Sequence, residues 1–188
     1  MLDRREVVKS LLADRADLLV VSGLGAPTYD VAAAGDHPLN FYLWGAMGGA
    51  AMMGLGLALA QPKRHVAVIT GDGEMLMGLG SLATIGVKQP ANLSIIVLDN
   101  RRYGETGMQA SHTDWGVDLV GVANACRFPT ALDLEAQAQA LRVRRLMHSG
   151  LGPVFVQAHV KPDDVPRVLP VRDGHTIKRR FMEALAKS

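Results

Sequence analysis

Val66-Ala67-Val68-Ile69-Thr70-Gly71-Asp72-Gly73, followed 28 residues after its aspartate by Asn100 at the end of Ile95-Ile96-Val97-Leu98-Asp99-Asn100, decides the reading of this chain. Two continuous apolar runs each close on a polar side chain. Uninterrupted runs of this kind suit strands buried on both faces of a parallel sheet. The residues between them predict a helix over about 75–87, so 66–70 and 94–98 form one strand-helix-strand unit. Asp72 and Asn100 then fall at the same end of neighbouring strands, which is where open parallel sheets bind ligands.

The chemistry at those ends suits a magnesium-bound diphosphate. Mg²⁺ takes oxygen ligands in near-octahedral geometry and draws several of them from phosphate and water, so few protein oxygens are needed. Asp72 offers a carboxylate and Asn100 an amide oxygen, while Gly71 and Gly73 let backbone N–H groups approach an anion. A helix starting near Glu74 would aim its N-terminal dipole at the same charge. Taken alone, Gly-Asp-Gly also suits an ordinary turn, and Asn100 could use its amide locally.

Outward from this unit the alternation continues. A charged amphipathic helix over 3–14 precedes a strand at 18–22, and Gly23-Leu24-Gly25-Ala26-Pro27 reads as the turn after it. An extended stretch at 40–43 leads through Gly45 into a helix rich in glycine and alanine that stops before Pro62. Beyond Asn100 a long loop gives way to a helix at 117–126, an extended piece at 127–131, a helix at 134–148 stopped by Gly150, and a core strand at 154–160. Residues 161–173 hold three prolines and should wrap the surface before a last helix at 177–186. The pattern predicts an α/β fold of three layers, α/β/α, around a mainly parallel sheet with right-handed crossovers, as a single domain over 1–188. Strand order is not legible in it.

Gly71-Asp72-Gly73 and Leu98-Asp99-Asn100, with the helix and strand between them, resemble the signature of thiamine diphosphate enzymes, in the half that binds the pyrophosphate. Trp44-Gly45-Ala46-Met47-Gly48-Gly49-Ala50, Gly54-Leu55-Gly56-Leu57-Ala58-Leu59-Ala60 and Tyr103-Gly104-Glu105-Thr106-Gly107-Met108-Gln109 are similar, in particular, to the sulfopyruvate decarboxylase beta chains and the matching half of the phosphonopyruvate decarboxylases. The likeness covers about residues 20–160. It implies a thiamine diphosphate-binding fold with a six-stranded sheet, and activity as a carbon-carbon lyase that decarboxylates a small anionic 2-oxoacid.

The same resemblance assigns roles. Asp72 and Asn100 become side-chain ligands of Mg²⁺, with the main-chain carbonyl of Arg102 as the third protein ligand. Met47 becomes the apolar wedge that bends the cofactor, although it also fits a helix core with Met52 and Met53. Gly45 gives its carbonyl to the aminopyrimidine, and Gly25, Ala26, Gly71, Gly73, Glu74, Tyr103 and Gly104 border the cofactor. A carboxylate about 4 Å from a phosphate costs roughly 1 kcal/mol in water and more when buried. Glu74 is therefore expected to turn from the phosphates or reach the metal through water, and it suits a helix N-terminus in any case.

In the resembling family a glutamate that activates the cofactor resides in a separate pyrimidine-binding domain, for which these 188 residues leave no room. The expected partner is a pyrimidine-binding alpha subunit, giving a hetero-oligomer with the cofactor at the interface. Catalytic groups on this chain are otherwise undefined. His112 and Glu105 are candidates on the loop 101–115, where Tyr103, Thr106, Gln109 and Trp115 could also touch substrate, and each equally suits a surface loop. Two other readings stay open: a carboligase half-subunit of the acetolactate synthase kind, and a cofactor-binding homo-oligomer without chemistry of its own. An oxidoreductase subunit with its own iron–sulfur cluster is disfavoured, because Cys126 is the only cysteine.

Composition limits the remaining classes. With 48% hydrophobic residues, 20% charged residues and a net charge of +2, the chain can bury a core and offers no electrostatic case for nucleic acid. Arg142-Val143-Arg144-Arg145 and Lys178-Arg179-Arg180 read as solvated helix faces. The first residues are charged and lack a signal peptide's apolar core, and the weakly polar stretch 43–60 is too rich in glycine and alanine for a membrane span. A cytoplasmic protein without membrane attachment is expected.

Overall fold

The computed structural model describes residues 1–187. Along the chain run α1 (Arg4–Leu12), β1 (Leu19–Ser22), α2 (Ala26–Ala33), β2 (Asn40–Tyr42), α3 (Ala50–Ala60), β3 (Val66–Gly71), α4 (Asp72–Met77), α5 (Ser81–Lys88) and β4 (Leu93–Asp99). A short hairpin of β5 (Arg102–Tyr103) and β6 (Gln109–Ala110) follows, then α6 (Leu119–Ala125), β7 (Thr130–Leu134), α7 (Ala140–Met147), β8 (Val154–His159) and α8 (Gly174–Lys187). Six strands form one wholly parallel sheet in the order β2-β1-β3-β4-β8-β7.

The apolar runs are central because both faces of their strands are covered. On one face, Val7, Val8 and Leu11 of α1, Val31 of α2 and Val143 and Met147 of α7 pack on Val20, Ile69, Ile96 and Val156. On the other, Ala51 and Leu55 of α3, Leu82 and Ile85 of α5 and Ala123 of α6 pack on Val68, Ile95, Val97 and Phe155. All seven residues of β4 are buried. Each such Ile, Leu or Val contributes about 1.5–3 kcal/mol by leaving water. The three-layer α/β/α arrangement, with the six-stranded sheet, is the architecture expected. Among the described residues no helix is long and apolar enough to cross a membrane.

Several boundaries differ from the sequence expectations, for identifiable reasons. The stretch 26–33, whose start reads as a turn, is helix α2: Gly25 sits at φ 74° as its N-cap and Pro27 occupies the first turn, where its missing N–H costs nothing. The single helix expected over 75–87 is two, and it begins earlier, at Asp72. Gly78 marks the break, since a Cβ there would lie 2.3 Å from the Gly48 carbonyl oxygen, so only glycine permits this approach. The extended piece expected at 127–131 becomes β7 at Thr130–Leu134, after Arg127 leaves α6 with φ 68°. The helix expected from 134 begins at Ala140, because Gln139 Oε1 accepts from Glu135 and Ala136 N–H at 3.1 and 3.0 Å and holds that segment out of the helix. The β5–β6 hairpin inside the long loop has no counterpart in the expectations.

One contact positions α1. Leu2 pairs beside the end of β8, its N–H donating to His159 O at 2.8 Å and its carbonyl accepting from Lys161 N–H at 2.9 Å. The start of α1 is thereby held at the C-terminal edge of the sheet.

Candidate active site

The chain passes from β1 outward to β2 and then returns to β3 on the other side of β1, so the connections leaving β1 and β3 diverge. A crevice opens at such a point in a parallel sheet. Here it is a cavity of about 320 Å³. Leu24, Ala26 and Pro27 line it after β1, Gly71, Asp72, Gly73 and Glu74 after β3, and Leu98 and Asn100 at the end of β4. Met47 lines it from the connection before α3, and Arg102, Tyr103, Gly104, Glu105, Thr106 and Met108 from the hairpin. Arg4 and the segment from Val160 to Arg167 complete the wall.

Asp72 is 2% exposed. Its Oδ2 accepts a short hydrogen bond from Ser111 Oγ, and Thr113 Oγ1 lies 3.5 Å away. Thr113 Oγ1 donates at 2.8 Å to Asp99 Oδ1, and Asp99 Oδ2 accepts from Gln157 Nε2 at 2.7 Å. Two buried carboxylates are thus joined through a pair of hydroxyls. Burial, with the nearby Asp99 charge adding to it, pushes the Asp72 carboxyl up to about 6 against the opposing Ser111 bond. A buried carboxylate of that kind is stabilised by a cation.

Asn100 stands at the end of β4 beside Asp72 on the cavity wall, and its Oδ1 accepts from Arg102 N–H at 2.9 Å. This local turn fixes the amide and leaves a second lone pair on the oxygen. The Arg102 guanidinium pairs with Asp114. Among the described residues no group of three or more His, Cys, Asp or Glu side chains could hold a metal, so a cation here needs amide, carbonyl or phosphate oxygens besides Asp72.

Glu74 is buried and directed to backbone: its Oε2 accepts from Leu24 N–H at 2.6 Å and its Oε1 from Ala50 N–H at 3.2 Å. Burial raises its carboxyl, against those bonds. It ties the end of β1 to the start of α3, and Gly23 is required beside it, since a Cβ there would lie 2.1 Å from Oε2.

The hairpin covers the glycines. A Cβ at Gly73 would lie 2.7 Å from the Tyr103 ring and 3.7 Å from Met47 Cε, and one at Gly25 would lie 2.8 Å from the Glu105 side chain. Met47 is 39% exposed at the cavity mouth. Gly25 and Gly45 are outside the cavity wall, as are His112, Gln109 and Trp115. His112 Nδ1 is 2.7 Å from the Tyr103 hydroxyl, behind the ring that faces the cavity, and Trp115 is 83% exposed. Residues the sequence reading missed are Ser111 and Thr113 on Asp72, Gln157 on Asp99, and Arg4 and Arg167 in the wall. Nothing in local spacing signals them, because each meets its partner across a gap of 14 to 58 residues or through a distant segment.

The residues present fit a magnesium diphosphate. Asp72 supplies a buried carboxylate, Asn100 a fixed amide oxygen, and Gly71 and Gly73 line the same wall, with the Tyr103 ring close over Gly73.

Comparison with known proteins identifies the family and the fold. The family described as thiamine pyrophosphate enzyme, C-terminal TPP binding domain, matches residues 23–159. Sulfopyruvate decarboxylase subunit beta of Methanothermobacter thermautotrophicus is 39% identical over 97% of this chain and 95% of its own length. Phosphonopyruvate decarboxylase of Streptomyces viridochromogenes is 38% identical over 95% of this chain, which spans 45% of that longer protein. The thiamine diphosphate-dependent 4-hydroxybenzoylformate decarboxylase of Rhodococcus jostii shares the fold, with a TM-score of 0.71 at 18% identity over 87% of this chain and 33% of that one.

Proposed function

Because the chain belongs to the thiamine pyrophosphate enzymes and carries their C-terminal cofactor-binding domain, we propose that it is the diphosphate-binding subunit of a Mg²⁺-dependent 2-oxoacid decarboxylase. The observation that carries this reading is the convergence of Asp72, Gly73 and Asn100 on one cavity at the sheet's crossing point. Asp72 and Asn100 would hold Mg²⁺ through their side chains, with the Arg102 carbonyl as a third protein oxygen. Thiamine diphosphate supplies the electron sink for loss of CO₂ from a 2-oxoacid. Met47 would support it from the cavity wall, and Ala26, Gly71, Gly73 and Gly104, which line the same cavity, would give it backbone contacts. Glu74, already bonded to Leu24 and Ala50 N–H, would hold the walls together rather than move a proton. Tyr103 and Glu105, on the hairpin, would exclude water from the reacting centre.

The group that activates the cofactor would come from a pyrimidine-binding subunit, and the substrate would be a small 2-oxoacid carrying a second acidic group. The relative in Methanothermobacter is named a subunit, and the Streptomyces relative joins a region like this chain to a comparable length of further sequence. The surface supports such a partner. Helix α3 has no polar residue in its 11 positions, yet Met52, Met53 and Leu59 are exposed, and Met47, which lines the cavity, precedes this helix by three residues.

The test is reconstitution. Decarboxylation of sulfopyruvate, phosphonopyruvate and pyruvate is measured with the purified chain alone, then with a candidate pyrimidine-binding polypeptide. Activity only in the mixture, dependent on Mg²⁺ and thiamine diphosphate, is expected. Full activity from the chain alone overturns the divided site, and product formation only by joining two carbonyl compounds favours carboligation.

A further inference from the structure

Arg4 lies before the residue at which the family match begins, and the Gly-Asp-Gly and Asn100 elements do not involve it. We propose that its guanidinium binds the diphosphate of the cofactor, a role resting on the functional reading above. Asp3 caps α1 through Oδ1, which accepts from Arg5 and Glu6 N–H at 2.9 and 3.0 Å, so Arg4 is fixed in the first turn of a helix already held at the C-terminal edge of the sheet. From there its side chain, 11% exposed, lines the cavity.

Asp30, fully buried on α2, aims it. Arg4 Nε is 3.0 Å from Asp30 Oδ2, while Arg5 Nε is 3.3 Å from Oδ1 and Arg5 Nη2 donates to the Pro166 carbonyl. Among the described residues, neither terminal nitrogen of Arg4 makes a hydrogen bond. Asp30 shares its single negative charge between Arg4 and Arg5, so the trio carries a net positive charge, and the terminal nitrogens of Arg4 stay available to a second anion. The other guanidiniums of the wall are engaged: Arg102 with Asp114, and Arg167 beside Glu105 at 3.9 Å and over the Tyr29 ring. Acidic Asp163 and Asp164 share this wall, so the cation is needed to make it receptive to phosphate.

Placement favours the cofactor's anion over the substrate's. Arg4 stands beside α2, whose first turn, Ala26 and Pro27, also lines the cavity; Pro27 has no N–H and the Thr28 and Tyr29 N–H groups donate to the Gly25 carbonyl, so what this eight-residue helix offers an anion there is its positive dipole end and the Ala26 N–H. Met47 belongs instead to the connection entering α3, on the opposite face of the sheet.

The test titrates thiamine diphosphate, unphosphorylated thiamine and inorganic pyrophosphate, each with Mg²⁺, into the full chain with and without its partner subunit, as wild type, Arg4→Gln and Arg4→Lys. Arg4→Gln should weaken thiamine diphosphate and pyrophosphate in parallel by about tenfold to a hundredfold and leave thiamine unchanged. Arg4→Lys, a point charge without the planar fork, should fall between. If removing the cation opposite Asp30 prevents folding of Arg4→Gln, the comparison rests on Arg4→Lys, where thiamine diphosphate affinity equal to wild type overturns the proposal. Unchanged cofactor affinity with a raised KM for an anionic 2-oxoacid also overturns it and gives Arg4 to the substrate. Failure of the wild type to bind thiamine diphosphate overturns the functional reading itself, whereas wild-type binding without an Arg4 effect overturns this inference alone.

Discussion

Behind Asp72, at the end of β3, the floor under the metal ligand is closed by the chain itself: Asp72, Ser111, Thr113, Asp99 and Gln157 answer one another through hydrogen bonds and are shielded from water. At the mouth the opposite holds. Met47 is partly exposed, and the outward residues of the helix that follows it, Met52 and Leu59 of α3 among them, are apolar and open to solvent. The floor is finished and the mouth is half built, which is the distribution expected if one subunit grips the anion and another completes the reacting centre.

The floor is broken most severely at its centre. Asp72→Ala should lower Mg²⁺-dependent affinity for thiamine diphosphate at least about a hundredfold, because the charged ligand is lost. Unchanged calorimetric affinity would remove Asp72 from the metal site.

Acidity reads the same carboxyl without a ligand. The Asp72 carboxyl rises from an ordinary 3.8 to about 6 on folding, so between those pH values the folded chain holds a proton that the unfolded chain has released. Stability of the metal-free protein should therefore fall as pH rises through that window, by up to about 3 kcal/mol. Asp72→Asn should flatten the profile, and Mg²⁺ with pyrophosphate should restore the loss at pH 7. Chemical denaturation at fixed pH steps measures it.

Ser111→Ala comes next, since it removes the hydroxyl that orients Asp72 without removing a ligand. About tenfold weaker Mn²⁺ binding, followed by the magnetic resonance of the ion, is expected. At the mouth, Leu59→Glu should weaken association with the partner subunit about tenfold while leaving Mg²⁺-dependent pyrophosphate binding untouched. Loss of both in that variant would erase the distinction between floor and mouth.

The central strands were legible because their apolar runs are continuous, and Asp72 and Asn100 because each directly ends such a run. The layers followed from alternation. Pro27 misled because the same residue opens turns and first helical turns, and only the backbone at Gly25 separates the two. Gly78 falls inside the helix expected over 75–87, and the Gly48 contact that breaks that helix lies 30 residues back. Ser111, Thr113 and Arg4 were invisible for a shared reason: a hydroxyl or guanidinium acquires its role from a partner brought close by topology, which leaves no local periodicity.

The sulfur atoms on the outer side of α3 give the molecule its own reporter. Met52 and Met53 are open to solvent, Met47 is partly so, and a partner docked on this side of the chain would cover them. Thioethers turn to sulfoxides under dilute peroxide at a pace set by exposure. Mass spectrometry of peptides from chain exposed alone, and from chain in its complex, would map the shielded patch residue by residue without a single engineered label.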